Sequence, residues 1–337
     1  IFTVMNTKQQ KYVTTWLYSG IILIALMVII GGITRLTQSG LSMVDWKPIH
    51  GAIPPLNEAE WQEEFAKYKQ FPEYQKINKG MELSEFKMIF FWEYLHRLLG
   101  RIIGLVFFFP FVFFWMKKWF NKKQKKQLLL LLFFGGFQGF LGWFMVKSGL
   151  VDRPHVSHFR LAIHLLAAFG LMCYIYWLIL SFNNVAKKTH LKLLNLSRWF
   201  IGVLLIQIIY GAFVAGLKAG YFLQINDSVI KQVVGYEFRN DGNFSILNNA
   251  IDIQAFHRIF AWIVFALSVL IYRKSRNTDV SKISTILFGL VIFQIVLGIS
   301  TLLLRVQIHT AITHQFVAIL LLLSAIKLNY LSGKNNT

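Results

Sequence analysis

Eight apolar runs divide the chain, near residues 14–34, 88–116, 128–147, 157–182, 199–217, 253–272, 283–304 and 308–326. Each is close to the roughly 20 residues a helix needs to cross a bilayer. With 55% hydrophobic and only 15% charged residues, the chain carries more apolar surface than a soluble domain of its length buries, so lipid is the solvent for most of it. The expected fold is an all-α membrane protein with eight transmembrane helices. The first run lacks a small-residue cleavage site and is followed by further spans, so it reads as a helix and not as a signal peptide.

A net charge of +20 would point to nucleic acid in a soluble protein, but its distribution excludes that partner. Lysine and arginine crowd alternate connections: Lys8 and Lys11; Lys117 to Lys126; Lys187, Lys188, Lys192 and Arg198; Arg273, Lys274, Arg276 and Lys282; Lys327 and Lys334. By the positive-inside rule these are cytoplasmic, and both termini fall on that side. The charge is a topology signal with some attraction to anionic lipid. The single cysteine, Cys173, sits inside an apolar run, which excludes an intrachain disulfide, a CxxC pair and covalent CxxCH haem attachment.

The first outer connection, 36–87, has two parts. Residues 36–55 read as irregular backbone punctuated by Gly and Pro. Asn57 then offers an N-cap with Glu60 three residues on, and Trp61, Phe65 and Tyr68 form one stripe of an amphipathic helix expected on the outer membrane surface. The second long outer connection, 218–252, is polar and without a clear period.

The halves of the chain repeat. EYLHRLLGRIIG (93–104) aligns with QAFHRIFAWIVF (254–265), FQGFLG (137–142) with FQIVLG (293–298), and LAIHLLAAF (161–169) resembles AITHQFVAI (311–319). Two pseudo-symmetric four-helix bundles of the same orientation are expected, residues 1–190 and 191–337.

His96, His164, His257 and His314 each lie a few residues inside the outer end of an even-numbered span, about 10 Å below the boundary at ~1.5 Å per residue. Two imidazoles facing across a bundle at one depth can coordinate a haem iron from both sides. A lone histidine near a helix end is ordinarily an interface residue, but four recurring at matched intramembrane positions point to function. His158 and His164 cannot share a face: ungapped counting from the FQxxLG motifs favours His158, depth and local context favour His164. The repeat selects His314 over His309. His50, His155 and His190 read as loop residues.

The repeat breaks at one place. Glu93 precedes His96 by three residues and shares its face, whereas the residue before His257 is the neutral Gln254. A carboxyl in a poorly solvated haem site can pass protons or contact substrate; the alternative is a structural partner for Arg97 or Arg101. A reactive site in the first bundle and an electron-carrying haem in the second follow from this asymmetry. Arg35, Arg97 and Arg258 can pair with haem propionates, though snorkelling explains each nearly as well.

GGITRLTQSGLSMVDWKPI (31–49), EEFAKYKQFPEYQ and FKMIFFWEYLHRLLGRIIG together closely resemble the haem A synthase family of the proteobacterial and mitochondrial type. The resemblance covers essentially the whole chain. It implies oxidation of the position-8 methyl of haem O to the formyl group of haem A, through an alcohol and a hydrate that loses water, for use by cytochrome oxidase. It places the substrate-haem histidines on His96 and His164, the haem b ligands on His257 and His314, and the essential glutamate on Glu93. Haem O synthase, oxidase assembly factors and an unidentified electron donor are the implied partners beside the lipid bilayer, and a homo-oligomer is compatible with it. A cysteine pair in the first outer loop of another branch is missing here, so no thiol step of that kind operates. The lack of an Arg- and Ser-rich leader favours a bacterial plasma membrane over a mitochondrial inner membrane.

Two other classes use similar residues. A diheme, quinol-linked cytochrome b type of electron carrier needs the histidine pairs but not Glu93 in one half only. A haem transporter needs a path across the membrane, whereas all four histidines are expected at one face.

Overall fold

The computed structural model describes residues 5–45, 50–151, 154–221 and 245–333. Most of the second outer connection (222–244) and the Trp46 to Ile49 stretch of the first lie outside the described residues. Among those described, ten α-helices follow one another: α1 (Thr7–Leu36), α2 (Glu58–Tyr68), α3 (Pro72–Lys76), α4 (Leu83–Met116), α5 (Lys122–Lys147), α6 (His158–Phe182), α7 (Leu191–Gly216), α8 (Ala250–Ser275), α9 (Ser281–Leu303) and α10 (Ile308–Ser332). All but α2 and α3 are long and apolar enough to cross a membrane, which gives the eight expected spans.

The helix ends follow from local chemistry. Asn6 and Asn121 cap α1 and α5 through their side chains, each with a glutamine returning the bond three residues on. At the other ends Gln38, Lys118, Asn184, Lys218 and Arg305 take the left-handed conformation, with φ between 47° and 56°. The amide after four of them then reaches back into the last turn, as Ser39 N does to Thr34 O at 2.8 Å. The basic clusters fall at the α4–α5, α6–α7 and α8–α9 turns, the alternate connections picked out by charge.

The chain divides into two compact units, residues 1–171 and 172–337. In the first, α1 packs along α4. Pro110 lies within α4 and has no N–H to give to the carbonyl of Val106 one turn earlier. The indole of Trp16 on α1 supplies the missing donor, Nε1 to Val106 O at 2.9 Å. Its ring also stacks on Phe107, centroids 5.0 Å apart.

Helix α4 begins five residues before its apolar run, and this extension carries the outer segment. Asn57 caps α2, accepting from Glu60 N at 3.0 Å, as its sequence indicates. The apolar stripe of α2 packs on protein: Phe65 and Tyr68 are buried against Phe86, Phe90 and Met43, with Trp61 packed alongside. A protein partner at the top of α4 takes the face that lipid was expected to cover, because α4 runs on past the apolar boundary. Tyr68 donates to Glu73 Oε2 (3.1 Å) and accepts from Asn78 Nδ2 (2.7 Å).

In the second unit the packing order is a closed ring, α7 on α8, α8 on α9, α9 on α10 and α10 back on α7. Helices α8 and α10 therefore stand diagonally opposed. Asn329 Nδ2 donates to Ser197 Oγ at 2.9 Å, tying α10 to α7.

Candidate haem sites

Each of the four even-span histidines lies on its helix with the ring against a glycine of the neighbouring span. A Cβ placed on Gly31 of α1 would stand 2.9 Å from His96 Cε1; on Gly142 of α5, 3.1 Å from His164 Cε1; on Gly211 of α7, 3.1 Å from His257 Cε1; and on Gly298 of α9, 3.1 Å from His314 Cε1. A side chain at any of the four would stand closer to the imidazole than side chains ordinarily pack, so the ring edge would have to shift.

Three of these seats carry a second contact. Gln138, Gln207 and Gln294 stand one turn before Gly142, Gly211 and Gly298. Gln138 Nε2 donates to the His164 carbonyl (3.0 Å) and lies 3.2 Å from His164 Nδ1. Gln294 Nε2 donates to the His314 carbonyl (3.0 Å) and lies 3.4 Å from His314 Nε2. At His257 the backbone takes part as well: Nδ1 donates to the Gln207 carbonyl at 3.2 Å, and Nε2 faces the Gln207 amide nitrogen at 3.4 Å. In the sequence alone the FQxxLG motif sets only the register of the two halves. Its Gln and Gly are the contact residues, and a third copy, QIIYG at 207–211, carries the same signal.

Within each unit the two histidines are near enough to interact electrostatically, His96 with His164 and His257 with His314. The latter pair projects from the diagonal helices of the ring. Nδ1 of His96 and Nδ1 of His314 are buried with no hydrogen-bond partner. Among the described residues no three His, Cys, Asp or Glu side chains converge as metal ligands. Paired imidazoles without further protein donors fit an iron whose other four ligands come from a porphyrin.

Of the two α6 candidates, His164 faces the Gln–Gly seat equivalent to that of His314; His158 starts the helix and lies against Phe159. His309 is exposed and His155 lies in a connection. His190 stands at the N-cap of α7 with Nε2 buried. The side chain of His50 lies outside the described residues.

Glu93 is buried, 3% exposed. Its Oε1 accepts from Arg97 NH2 at 2.6 Å, and Oε2 accepts from Ser42 Oγ at 2.7 Å and Met43 N at 2.8 Å. The same guanidinium donates to the carbonyls of Met43 (2.7 Å) and Asp45 (3.2 Å). The pair thus clasps residues 42–45 to α4, one turn before His96. In the second unit Arg258 NH2 donates to Gln254 Oε1 at 3.1 Å, and Gln254 Nε2 donates to the Ala219 carbonyl at 3.5 Å. The two positions match in frame and differ in charge. Arg35 stands in the last turn of α1.

The sequence profile described as cytochrome oxidase assembly protein matches residues 14–326. The heme A synthase of Flavobacterium johnsoniae is 45% identical over 335 residues, covering 94% of this chain and 96% of the relative. That of Nitrosospira multiformis is 41% identical, covering 95% and 93%, and that of Wolbachia pipientis wMel 40% identical, covering 93% and 90%. A match of this extent, falling on a chain whose spans seat four imidazoles, places it plainly: the chain belongs to the cytochrome oxidase assembly protein family, among relatives that are haem A synthases.

Proposed function

We propose that the protein is a haem A synthase that oxidises a methyl group of haem O to the formyl group of haem A. The observation that carries this reading is the matched pair of histidine frames with a carboxylate in one only: Glu93–Arg97 before His96 and His164, Gln254–Arg258 beside His257 and His314. An electron carrier with two equivalent haems has no use for that difference.

In this reading His96 and His164 hold the substrate haem O, and His257 and His314 hold a haem b. Bound haem supplies the redox chemistry. The protein seats the imidazoles against glycines, and the apolar spans exclude water from the rings. Glu93 is the carboxyl available to accept or return a proton, through Oε2 and the Ser42 hydroxyl 2.7 Å away. Arg97 donates to Glu93 and to loop carbonyls; Arg35, Arg97 and Arg258 are the candidate propionate partners. The two four-span halves, residues 1–190 and 191–337, act as the two haem sites, divided at the α6–α7 turn so that α6 stays whole. The termini are cytoplasmic, in a bacterial plasma membrane, with electrons arriving from a donor still to be identified.

Pigment extraction from purified protein tests this. Haem O or haem A beside haem b supports the synthase; haem b alone supports the electron carrier, and little haem of any kind a transporter. Glu93→Gln is expected to retain haem and lose conversion of haem O to haem A, and unchanged conversion removes Glu93 from the mechanism. His257→Ala is expected to deplete haem b; an unaltered haem b spectrum rejects that pair.

A further inference from the structure

Leu191, Asn195 and Arg198 recur at the spacing of one helical face at the start of α7. That face lines a cavity of about 420 Å³ within the 172–337 unit, at the end of the spans that carries the basic connections. Trp177 of α6 and Lys187 of the following turn close it on one side, and Asn329 and Tyr330 of α10 on the other. The walls are tied together. Lys188 N and His190 N donate to the carbonyls of Leu331 (2.6 Å) and Ser332 (3.1 Å), lacing the α6–α7 turn to the end of α10. The Tyr330 hydroxyl donates to the Leu180 carbonyl at 3.2 Å, and Lys187 Nζ lies 5.4 Å from the centre of the Tyr330 ring.

Among the described residues no carboxylate lines this space, and the nearby Asp279 pairs with Lys188 at 3.6 Å. Two cations and a carboxamide on α7 therefore face a cavity with no opposing negative charge, and His190 leaves the first turn of α7 without a side-chain cap. Such a space suits an anion, and the planar fork of Arg198 matches phosphate oxygens. Its volume lies in the range of small-molecule sites, about 300–1,000 Å³, so it has room for more than a bare phosphate. Trp177 and Leu191 at its rim are 38% and 50% exposed. Apolar surface of that kind belongs in lipid, which puts the cavity where acyl chains meet water. We infer that it binds the phosphate headgroup of an anionic phospholipid, with Lys187 and Arg198 as the charged contacts and Asn195 as a hydrogen-bond donor. Asn329 is 15 residues beyond His314 on α10, about 22 Å of helix, so the site is separate from the histidine pair and independent of what that pair holds.

Native mass spectrometry of the detergent-purified full chain reads the binding directly. One phosphatidylglycerol is expected per chain, held more tightly than zwitterionic phosphatidylcholine. Lys187→Gln and Arg198→Gln are each expected to weaken it about fivefold, the effect of one cation near an anionic membrane surface. Lys274→Gln, in the last turn of α8, is expected to leave it unchanged. Equal affinity for the two lipids, or an equal loss in Lys274→Gln, overturns the site in favour of diffuse surface charge. Inorganic phosphate that binds as tightly as phosphatidylglycerol overturns the lipid as its source. Should Lys187→Gln fail to fold, Arg198→Gln at its exposed position decides alone, and unchanged phosphatidylglycerol affinity there overturns the inference.

Discussion

Arg97 and Glu93 form a buried ion pair one turn apart on α4, 2.6 Å between NH2 and Oε1, that also carries the outer loop. All the donors converging on the carboxylate need an acceptor. In Glu93→Gln one oxygen becomes an NH2 group facing donors, which leaves buried groups unpaired. Breaking a buried pair of this kind costs about 3–5 kcal/mol. The variant is expected to unfold at lower temperature in detergent, and amides 41–45 to exchange faster with deuterium, while α4 itself stays protected.

The glycine seats make a paired test within one helix. Gly211→Ala sets a Cβ 3.1 Å from the His257 ring, whereas Gly202→Ala on the same helix meets nothing within 4 Å. The first is expected to cost about 1–3 kcal/mol through overpacking and to lower haem b content. The second is expected to leave haem b unchanged and to stabilise α7 slightly, since alanine is the better helix former. Haem b per protein, from a pyridine haemochrome assay, distinguishes them.

A coupled pair of substitutions tests the contact at Pro110. Trp16→Phe leaves the Val106 carbonyl without a donor, at about 1–3 kcal/mol. Pro110→Ala restores the helical N–H, so in that background Trp16→Phe is expected to cost little beyond lost packing. Denaturant unfolding of the four proteins in the cycle measures the non-additivity.

Alkaline pH is expected to open the outer segment. Burial first, and then the neighbouring Glu73 carboxylate, push the Tyr68 phenol well above its ordinary value. Below that ordinary value, about 10, the phenol is neutral folded or unfolded and the contribution is fully present. As pH rises beyond it, the unfolded chain releases the proton and the folded chain does not, so stability is lost. Tyrosinate absorbance is expected to show a late phase that Tyr68→Phe removes.

The eight spans and the four histidines were legible because lipid demands long apolar helices and tolerates few ionisable residues inside them. The Asn57 cap was legible for the same local reason. That the apolar stripe of α2 packs on α4 is not legible, since amphipathicity says that a face is covered and not by what. The Gln–Gly seats were present as FQxxLG, but reading a motif as a contact requires knowing which spans adjoin, and apolar helices carry little sequence information on that order. The role of Ser42 and Met43 as donors to Glu93 was hidden too, because an irregular loop has no period to place it.

The indole bond from Trp16 to Val106 also bears on biogenesis. A ribosome delivers α1 ahead of α4, so the donor is already lodged in the bilayer when the proline-broken turn arrives. An open carbonyl in hydrocarbon costs several kcal/mol, and here its stay is brief. Exchanging the two residues, with the proline in the leading segment and the indole in the trailing one, would strand the acceptor until its partner was translated.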